Sequence, residues 1–158
     1  MRPDLGPHDV HIVVNTVTDK AKCFVPGEAE PRWVVPCRNE GVAGPGWDRP
    51  FGDTPPGLWE VVRVEEIPPG DPDINAYGPV YLWLQELERQ AASVGRAGIG
   101  WHGGGSGLPA PLAPRQGWAK THGCLRSQNV DLTMRVVPTV RYTHARGGRV
   151  WLTVSRDQ

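Results

Sequence analysis

Short runs of alternating apolar and polar residues, separated by glycine and proline, dominate the pattern of this chain. Residues 10–17 alternate in this way and are rich in β-branched side chains, and residues 58–67 form a second run rich in valine. Residues 20–25 and 32–37 flank a turn that contains proline and glycine. A period of two bounded by turn residues predicts strands, and the runs 20–25 and 32–37 are predicted to pair as a hairpin.

One segment has the spacing of a helix. Within residues 79–93, Leu84 and Leu87 fall on one helical face with Ala91, while charged side chains fall on the others. Pro79 suits a first helical turn and Gly95 suits the residue after a helix. The pattern therefore predicts the main helix of the chain over residues 79–93.

The C-terminal half is predicted to contain short elements around a long loop. Residues 99–101 read as a short strand, and residues 103–120 as a loop rich in glycine and proline. A short helix capped by Ser127 or Asn129 is predicted to run through residues 131–136. A closing hairpin is predicted from the strands 140–144 and 149–154 around 146–148. The predicted fold is mostly β, with two packed sheets and one main helix outside them.

Composition limits the function classes. The 158 residues suffice for a single domain, residues 1–158, with a hydrophobic core. Because 17 basic residues balance 17 acidic ones, nucleic acid is not an expected partner. No apolar stretch is long enough to span a membrane, and residues 1–7 lack the apolar segment of a secretory signal. We expect a monomer without a cofactor.

Cysteine chemistry centres on one position. In the predicted hairpin, Cys23 lies opposite Val34 and Cys37 lies opposite Lys20, which leaves the two thiols too far apart for a disulfide. We expect both to be small residues of the core or of a strand. Cys124 differs, because glycine precedes it directly and histidine lies two residues before it. An imidazole near a thiol can take its proton, so Cys124 is the candidate nucleophile.

Two other interpretations compete with nucleophilic catalysis. His102, His122, Cys124 and His144 could in principle bind zinc. The chain lacks the Cys-x-x-Cys and His-Glu-x-x-His spacings, however, and His122-Gly-Cys124 would chelate poorly, so no metal is expected. A binding module with an inactive site is disfavoured because the candidate catalytic residues are all present.

The segment Thr121-His122-Gly123-Cys124-Leu125-Arg126, followed by Asn129 and Asp131 and preceded by His102-Gly103, resembles the active-site signature of L,D-transpeptidases, the YkuD domain family. Residues 52–61, 75–79 and 147–152 resemble further segments of that family. The resemblance implies a YkuD-like β-sandwich of two packed mixed sheets, with a short helix after the catalytic cysteine. Residues 103–120 form a slightly longer loop than is usual in the family, which bears on substrate choice.

The resemblance also implies a reaction. Cys124 would attack the carbonyl carbon of the third residue of a peptidoglycan tetrapeptide stem, a diamino acid, and would form a thioester. An amine from another stem then gives a crosslink, whereas water gives hydrolysis by an L,D-carboxypeptidase or endopeptidase of the same fold. Stem peptides place the activity at the cell wall or periplasm. Without a signal segment, we expect a trimmed mature form, a phage protein or a delivered effector.

Roles follow for the neighbouring residues. The family pattern makes His102 the base, with its second ring nitrogen bonded to a backbone carbonyl, plausibly that of Gly103. His122 either supports the turn or competes for the proton. The N–H groups of Gly123 and Cys124 are the natural donors to an oxyanion.

The remaining candidates concern the substrate. Arg126 either binds a substrate carboxylate or braces the active-site loop. Trp101 and Trp118 flank the two predicted catalytic segments, and they either line the groove or pack in the core. Thr121 is a further candidate for substrate binding. Asn129 and Asp131 are expected to be structural.

Overall fold

The structure, a computed structural model, describes residues 3–156; residues 1, 2, 157 and 158 of the predicted domain lie outside the described residues. Across residues 3–156, the strands form one mixed eight-stranded sheet in the order β3-β2-β1-β8-β4-β5-β6-β7. Their bounds are β1 Val10–Asn15, β2 Lys20–Phe24, β3 Trp33–Pro36, β4 Gly57–Glu66, β5 Val80–Glu86, β6 Gly100–His102, β7 Leu125–Arg126 and β8 Val150–Ser155. The mostly β prediction is confirmed, and the two expected sheets are joined into one hydrogen-bonded sheet.

The predicted helix over residues 79–93 is wrong. Most of this segment is strand β5, which pairs antiparallel with β4 on one side and with β6 on the other. Val80, Tyr81 and Leu82 are buried in succession, as in a strand covered on both faces, and such a run does not alternate. The helical spacing of its leucines was therefore misleading. A 3-10 turn, Ala92–Val94, follows, and Gly95 ends it in a left-handed conformation.

The longest helix in the described part of the chain is α3, Val137–Ala145, so the strand predicted over residues 140–144 is also wrong. It continues from α2, Asn129–Asp131, through a π-helical turn, Leu132–Val136. A stripe of buried side chains at helical spacing explains this assignment: Leu132, Val136, Val140 and Thr143. The short helix predicted after Cys124 is thus present, and it extends to Ala145.

The core lies between this helical segment and the sheet. Its fully buried side chains include Ile12, Val14, Leu82, Trp101, Leu125, Leu132, Val140 and Leu152. Cys23 and Cys37 are buried free thiols, as predicted, although Cys23 pairs with Trp33, one residue from the predicted register. Burial raises the pKa of each of these thiols to about 12, which makes both unreactive near neutral pH.

Strand register brings four polar side chains into one row across the sheet. Glu65 on β4 is opposite Tyr81 on β5, Tyr81 is opposite His102 on β6, and His102 is opposite Arg126 on β7. Directly paired residues share a face of the sheet. Cys124, two residues before Arg126, therefore lies on this same face, where the row ends.

Within residues 3–156, no helix has the length and apolar character needed to cross a membrane.

Candidate active site

Cys124 lines a cavity of about 500 Å³ beside β6 and β7. Its sulfur accepts a hydrogen bond from the Gly100 N–H at 3.3 Å, and it lies 3.7 Å from the Tyr81 hydroxyl and 3.9 Å from the Gly98 carbonyl oxygen. Burial raises the pKa of the thiol, while the Gly100 N–H, the Tyr81 hydroxyl and nearby arginines oppose that rise. At rest Cys124 is therefore a neutral thiol held by three polar neighbours.

His102 is oriented as the sequence predicted. Its Nδ1 lies 2.8 Å from the Gly103 carbonyl oxygen, an acceptor, so the proton sits on Nδ1 and the Nε2 lone pair is free. The ring packs edge-on against Tyr77 at 4.9 Å between centroids and stacks on Tyr81 at 5.6 Å. Burial lowers the pKa of His102 to about 4, so its imidazole is neutral near pH 7.

Cys124 and His102 line the same cavity, but no hydrogen bond joins them in the described part of the chain. Their positions in the sheet explain why no hydrogen bond joins them. Cys124 lies beside Gly100, and His102 is two residues further along β6 on the same face. Catalytic hydrogen bonds are often long before substrate binds, and these two groups face one cavity without contact between them.

The turn before Cys124 is fixed by hydroxyl groups. Thr121 Oγ1 accepts the Gly123 N–H at 2.9 Å and donates to the Cys124 carbonyl oxygen at 2.7 Å. Thr54 Oγ1 donates to the Gly123 carbonyl oxygen at 2.6 Å. The Gly123 N–H, which the sequence predicted as an oxyanion donor, is therefore already bonded to Thr121 in this conformation. Within residues 3–156 the Cys124 N–H has no such partner.

Thr121 thus shapes the turn, although the sequence placed it with the substrate-binding residues. Arg126 is likewise a brace. Its guanidinium donates to the carbonyl oxygens of Gly103 at 3.1 Å, Ala119 at 2.5 Å and Ala76 at 3.2 Å. Of the two predicted roles for Arg126, the bracing of the active-site loop is the one seen.

His122 is exposed and lies at the rim of the cavity, where its ring packs against Phe51 at 4.6 Å between centroids. It makes no hydrogen bond to the Cys124 sulfur among the described residues. This position fits support of the turn better than direct proton transfer.

Neither predicted tryptophan lines the cavity. Trp101 is fully buried, and its Nε1–H donates to Ser127 Oγ at 2.9 Å, so it belongs to the core. Adjacent strand residues point to opposite faces, so Trp101 points away from the face that carries His102. Trp118 is half-buried beneath the Arg38 guanidinium, at 4.4 Å from the ring centroid. Of the two predicted roles, Trp101 has the one in the core, and Trp118 belongs neither to the buried core nor to this cavity.

Sequence reasoning missed two contributors to the site. Tyr81 was assigned to a helix, so its place between Cys124 and His102 could not be seen without the strand register. Arg96 is buried, and it donates to the carbonyl oxygens of Trp47, Gly52 and Asp53. A Cβ on Gly123 would lie within 1.9 Å of an Arg96 nitrogen, so Arg96 packs directly against the catalytic turn. No local motif identifies that role.

Asn129 is structural, as predicted. Its side-chain oxygen accepts the Gly104 N–H at 3.0 Å, and its Nδ2 donates to the carbonyl oxygens of Pro111 and Ala113. Asp131 forms an ion pair with Arg115 at 3.4 Å. These contacts fasten the 103–120 loop to the start of the helical segment.

The zinc alternative requires three or more ligands to converge. Among the residues that the structure describes, no group of three His, Cys, Asp or Glu side chains could hold a metal ion. His144 lies on α3 and does not line the catalytic cavity.

Comparison with protein-family models gives no match, and comparison with curated proteins gives no relative. Solved structures do match. Bd1075 from Bdellovibrio bacteriovorus has 14% identity and a TM-score of 0.62 over 96% of this chain and 48% of its own. The helical cell shape determining protein Pgp2 from Campylobacter jejuni has 18% identity and a TM-score of 0.59 over 94% and 48%.

An L,D-transpeptidase (Yku) from Stackebrandtia nassauensis has 13% identity and a TM-score of 0.55 over 98% of this chain and 58% of its own. The chain thus spans about half the length of the solved structures it matches. At these identities the likeness is one of fold, and it confirms the YkuD-like fold that the sequence motifs predicted.

Proposed function

We propose that this protein is a cysteine-dependent L,D-transpeptidase that acts on the tetrapeptide stems of peptidoglycan through a thioester. One observation carries the proposal: the Cys124 thiol and an oriented, neutral His102 imidazole share a cavity on a YkuD-like fold. A thiol and a neutral imidazole are the two groups that acyl transfer requires.

In the first half-reaction, the Cys124 sulfur forms a bond to the carbonyl carbon of the third stem residue. Its proton passes to Nε2 of His102 as the bond forms. The bond from that carbon to the nitrogen of the terminal D-amino acid then breaks, and the proton on His102 goes to the leaving amine. The product is a thioester on Cys124 and a free D-amino acid.

In the second half-reaction, an amine of another stem attacks the thioester carbon. His102 accepts a proton from that amine and returns one to the sulfur, which restores the thiol and completes the crosslink. Hydrolysis uses the same thioester with water as the nucleophile, so the nature of the acceptor decides between the two products. Because stem peptides lie outside the cytoplasm, the activity belongs at the cell wall or periplasm.

The resting protonation state favours general-base catalysis over a preformed ion pair. The pKa of Cys124 is raised by burial and that of His102 is lowered to about 4 by burial, so both groups are neutral near pH 7. Proton transfer must then accompany attack on the carbonyl rather than precede it. A preformed thiolate–imidazolium ion pair is disfavoured by the low-dielectric surroundings.

The oxyanion that forms during attack needs a hydrogen-bond donor. The Cys124 N–H is available for this role, and a donor of this kind is worth about 3 kcal/mol of the barrier. The Gly123 N–H can join it only if it leaves Thr121 Oγ1 when substrate binds.

The test uses Cys124→Ala, with Cys23→Ala as a matched control on another buried thiol. Carbapenem β-lactams acylate enzymes of the resembled family, so we expect a mass adduct on the wild type and on Cys23→Ala, and none on Cys124→Ala. Mass spectrometry of muropeptide products, with and without an added acceptor amine, then separates transfer from hydrolysis. An adduct on Cys124→Ala, or equal turnover by it, contradicts the proposal.

A further inference from the structure

A buried cation lies behind the 121–124 turn. Arg96 follows the 3-10 turn Ala92–Val94 and is only 8% exposed. It is not among the described residues that line the cavity of Cys124. Because burial removes water from a guanidinium, its N–H groups need acceptors within the protein. The acceptors that Arg96 binds therefore indicate its role.

The side chain of Arg96 binds the loop formed by residues 47–54. Its Nη1 donates to the carbonyl oxygens of Trp47, at 2.7 Å, and of Asp53, and its Nη2 donates to that of Gly52 at 3.0 Å. A planar guanidinium offers its donors in fixed directions, which a flexible ammonium group does not. Arg96 thus holds this loop in one conformation.

No carboxylate neutralises this cation directly. Within residues 3–156, the ion pairs do not include Arg96. The carboxylate of Asp53 accepts the N–H groups of Gly41 at 3.0 Å and Gly46 at 3.2 Å. Burial lowers the pKa of Arg96, and the charge of Asp53 opposes this change. Because an arginine stays protonated in proteins, Arg96 is a fixed positive charge.

The 47–54 loop supports the 121–124 turn from outside. Thr54 Oγ1 donates to the Gly123 carbonyl oxygen at 2.6 Å. A Cβ on Gly123 would lie 3.1 Å from the Gly52 carbonyl oxygen, so the two backbones are also in close contact. Displacement of the loop would therefore displace the backbone just before the proposed nucleophile.

Arg96 also contacts the turn itself. A Cβ on Gly123 would overlap Nη2 of Arg96, so the guanidinium fills the space left by the missing side chain. Gly123 has a φ of +117°, which glycine adopts without strain. The glycine therefore provides both the turn and the room for a cation one residue before Cys124.

The charge of Arg96 acts on the Cys124 sulfur. Burial raises the pKa of the thiol, and the charges of Arg96 and Arg126 oppose this rise. Other titratable groups face the same cavity: Tyr77, Tyr81, His102, Lys120 and His122. Burial raises the pKa of both tyrosines and lowers that of His102, so these three are uncharged near pH 7. A sulfur that loses its proton and an oxyanion at the Cys124 N–H are both negative, and a fixed cation nearby stabilises them.

We propose, on the basis of the function proposed above, that Arg96 is a positioning residue for acyl transfer. Its guanidinium holds the 47–54 loop against Gly123 and so fixes the directions of the Cys124 N–H and sulfur. Its charge stabilises the negative charge that develops on the sulfur and on the substrate oxygen during attack.

A purely structural arginine would behave differently. Its loss would lower the stability of the fold, but it would not change the pH at which the Cys124 thiol reacts in the folded protein. A lysine at the same position keeps the charge and loses the planar set of donors. The two parts of the proposal are therefore separated by Arg96→Met and Arg96→Lys.

The first measurement is the rate of alkylation of Cys124 by iodoacetamide as a function of pH, followed by peptide mass spectrometry, which separates it from the other two thiols. For Arg96→Met, which keeps an unbranched chain without a charge, we expect the midpoint to rise by about one pH unit and the rate below the midpoint to fall about tenfold. Arg96→Lys should keep the wild-type midpoint. The matched control Arg141→Met should keep it too, because Arg141 is exposed and pairs with Glu66 away from the cavity.

The second measurement is single-turnover acylation by a synthetic tetrapeptide stem, with thermal unfolding as the check on folding. Arg96→Lys should acylate about tenfold more slowly than the wild type, since an ammonium group cannot bind the three carbonyl oxygens in the directions of the guanidinium. Arg96→Met should lose at least as much.

An unchanged alkylation midpoint in folded Arg96→Met, or wild-type acylation by Arg96→Lys, overturns the proposal. If Arg96→Met does not fold, Arg96→Lys decides alone: slow acylation with the wild-type midpoint supports the positioning role, and normal acylation refutes it. If the wild type itself forms no thioester, the proposed function is overturned, and the alkylation midpoints still decide whether Arg96 acts on the thiol.

Discussion

The hydroxyl of Tyr81 lies 3.7 Å from the sulfur of Cys124, and no local sequence motif links the two residues. The same tyrosine ring stacks on His102 at 5.6 Å between centroids. Tyr81 therefore contacts both partners of the proposed proton transfer. Its hydroxyl opposes the increase in the thiol pKa that burial causes, because a donor to sulfur favours the thiolate.

Tyr81→Phe removes this hydrogen bond and keeps the ring. We expect the pKa of Cys124 to rise further, and alkylation of Cys124 by iodoacetamide at a fixed pH to slow about fivefold, as for the loss of one hydrogen bond. The matched control is Tyr77→Phe, whose ring also packs on His102 but whose hydroxyl makes no hydrogen bond to the sulfur. Equal alkylation rates for wild type and Tyr81→Phe would show that the hydroxyl does not act on the thiol.

Burial of His102 links folding to pH. Its pKa is about 4 in the folded protein, whereas the ordinary value of 6.5 applies to the unfolded chain. Between these pH values the unfolded chain therefore binds a proton that the folded protein does not bind. Stability is therefore complete above pH 6.5 and falls as the pH drops towards 4. The free energy of unfolding should decrease by about 3 kcal/mol over this range because of His102 alone.

Urea denaturation of wild type and His102→Gln from pH 7.5 to pH 4 measures this linkage. The carboxylates that titrate in the same range are common to both proteins, so the difference between the two curves isolates His102. His144→Gln retains His102 and should follow the wild type. Parallel curves for wild type and His102→Gln would contradict a buried neutral imidazole.

The sequence predicted that Cys124 and His102 share one cavity, but it did not predict the strand that completes this cavity. Cys124, His102 and the His102–Gly103 hydrogen bond follow from a local motif, and a local motif survives errors elsewhere in the chain. Tyr81 could not be placed from the sequence because Leu84 and Leu87 have helical spacing, whereas strand β5, which contains Tyr81 and Leu84, is buried on both faces at its start. A strand of that kind lacks the alternation that distinguishes it from a helix.

Two other errors have different origins, one in a local pattern and one in long-range contacts. Residues 140–144 were predicted as a strand from their composition, yet Val140 and Thr143 continue a buried helical stripe that begins at Leu132. Arg96 could not be assigned, since its role depends on three backbone carbonyls from a loop more than 40 residues away in the chain.

Gly123 is fixed by both its conformation and its neighbours. Its φ of +117° is strained for any other residue, and a Cβ there would meet Arg96 Nη2 at 1.9 Å. Gly123→Ala should cost about 1–3 kcal/mol of stability and displace the catalytic turn, with acylation reduced more than stability alone explains. Thermal unfolding and acyl-enzyme mass spectrometry measure the two effects.

The matched control is Gly107→Ala, because a Cβ at Gly107 meets nothing within 4 Å. It should leave both stability and acylation unchanged. If Gly123→Ala behaves like Gly107→Ala, the turn does not depend on the glycine.

The 103–120 loop joins the proposed base to the proposed nucleophile, and its two ends line the cavity that contains Cys124 through Gly105, Ser106, Gly107, Ala119 and Lys120. Its middle is fastened by Asn129, as described above. Gln116 Nε2 lies 3.4 Å from the Gly104 carbonyl oxygen, so the two ends of the loop are close together. A short turn can therefore replace the middle while Gly105, Ser106, Ala119 and Lys120 keep their places in the cavity wall.

Replacement of residues 107–114 by two glycines should alter access to the thioester more than its formation. The sulfur, His102 and the 121–124 turn keep their contacts, so the rate of acylation should remain close to that of the wild type. The wall beside the thioester becomes lower, which should admit water more readily and raise the ratio of hydrolysis to transfer. Single-turnover acylation and the ratio of the two products in the presence of an acceptor amine measure these effects, and iodoacetamide alkylation of Cys124 checks that the thiol is undisturbed. An unchanged product ratio, or an equal loss of acylation and transfer, would show that the loop tethers the two catalytic segments and does not control what reaches the thioester.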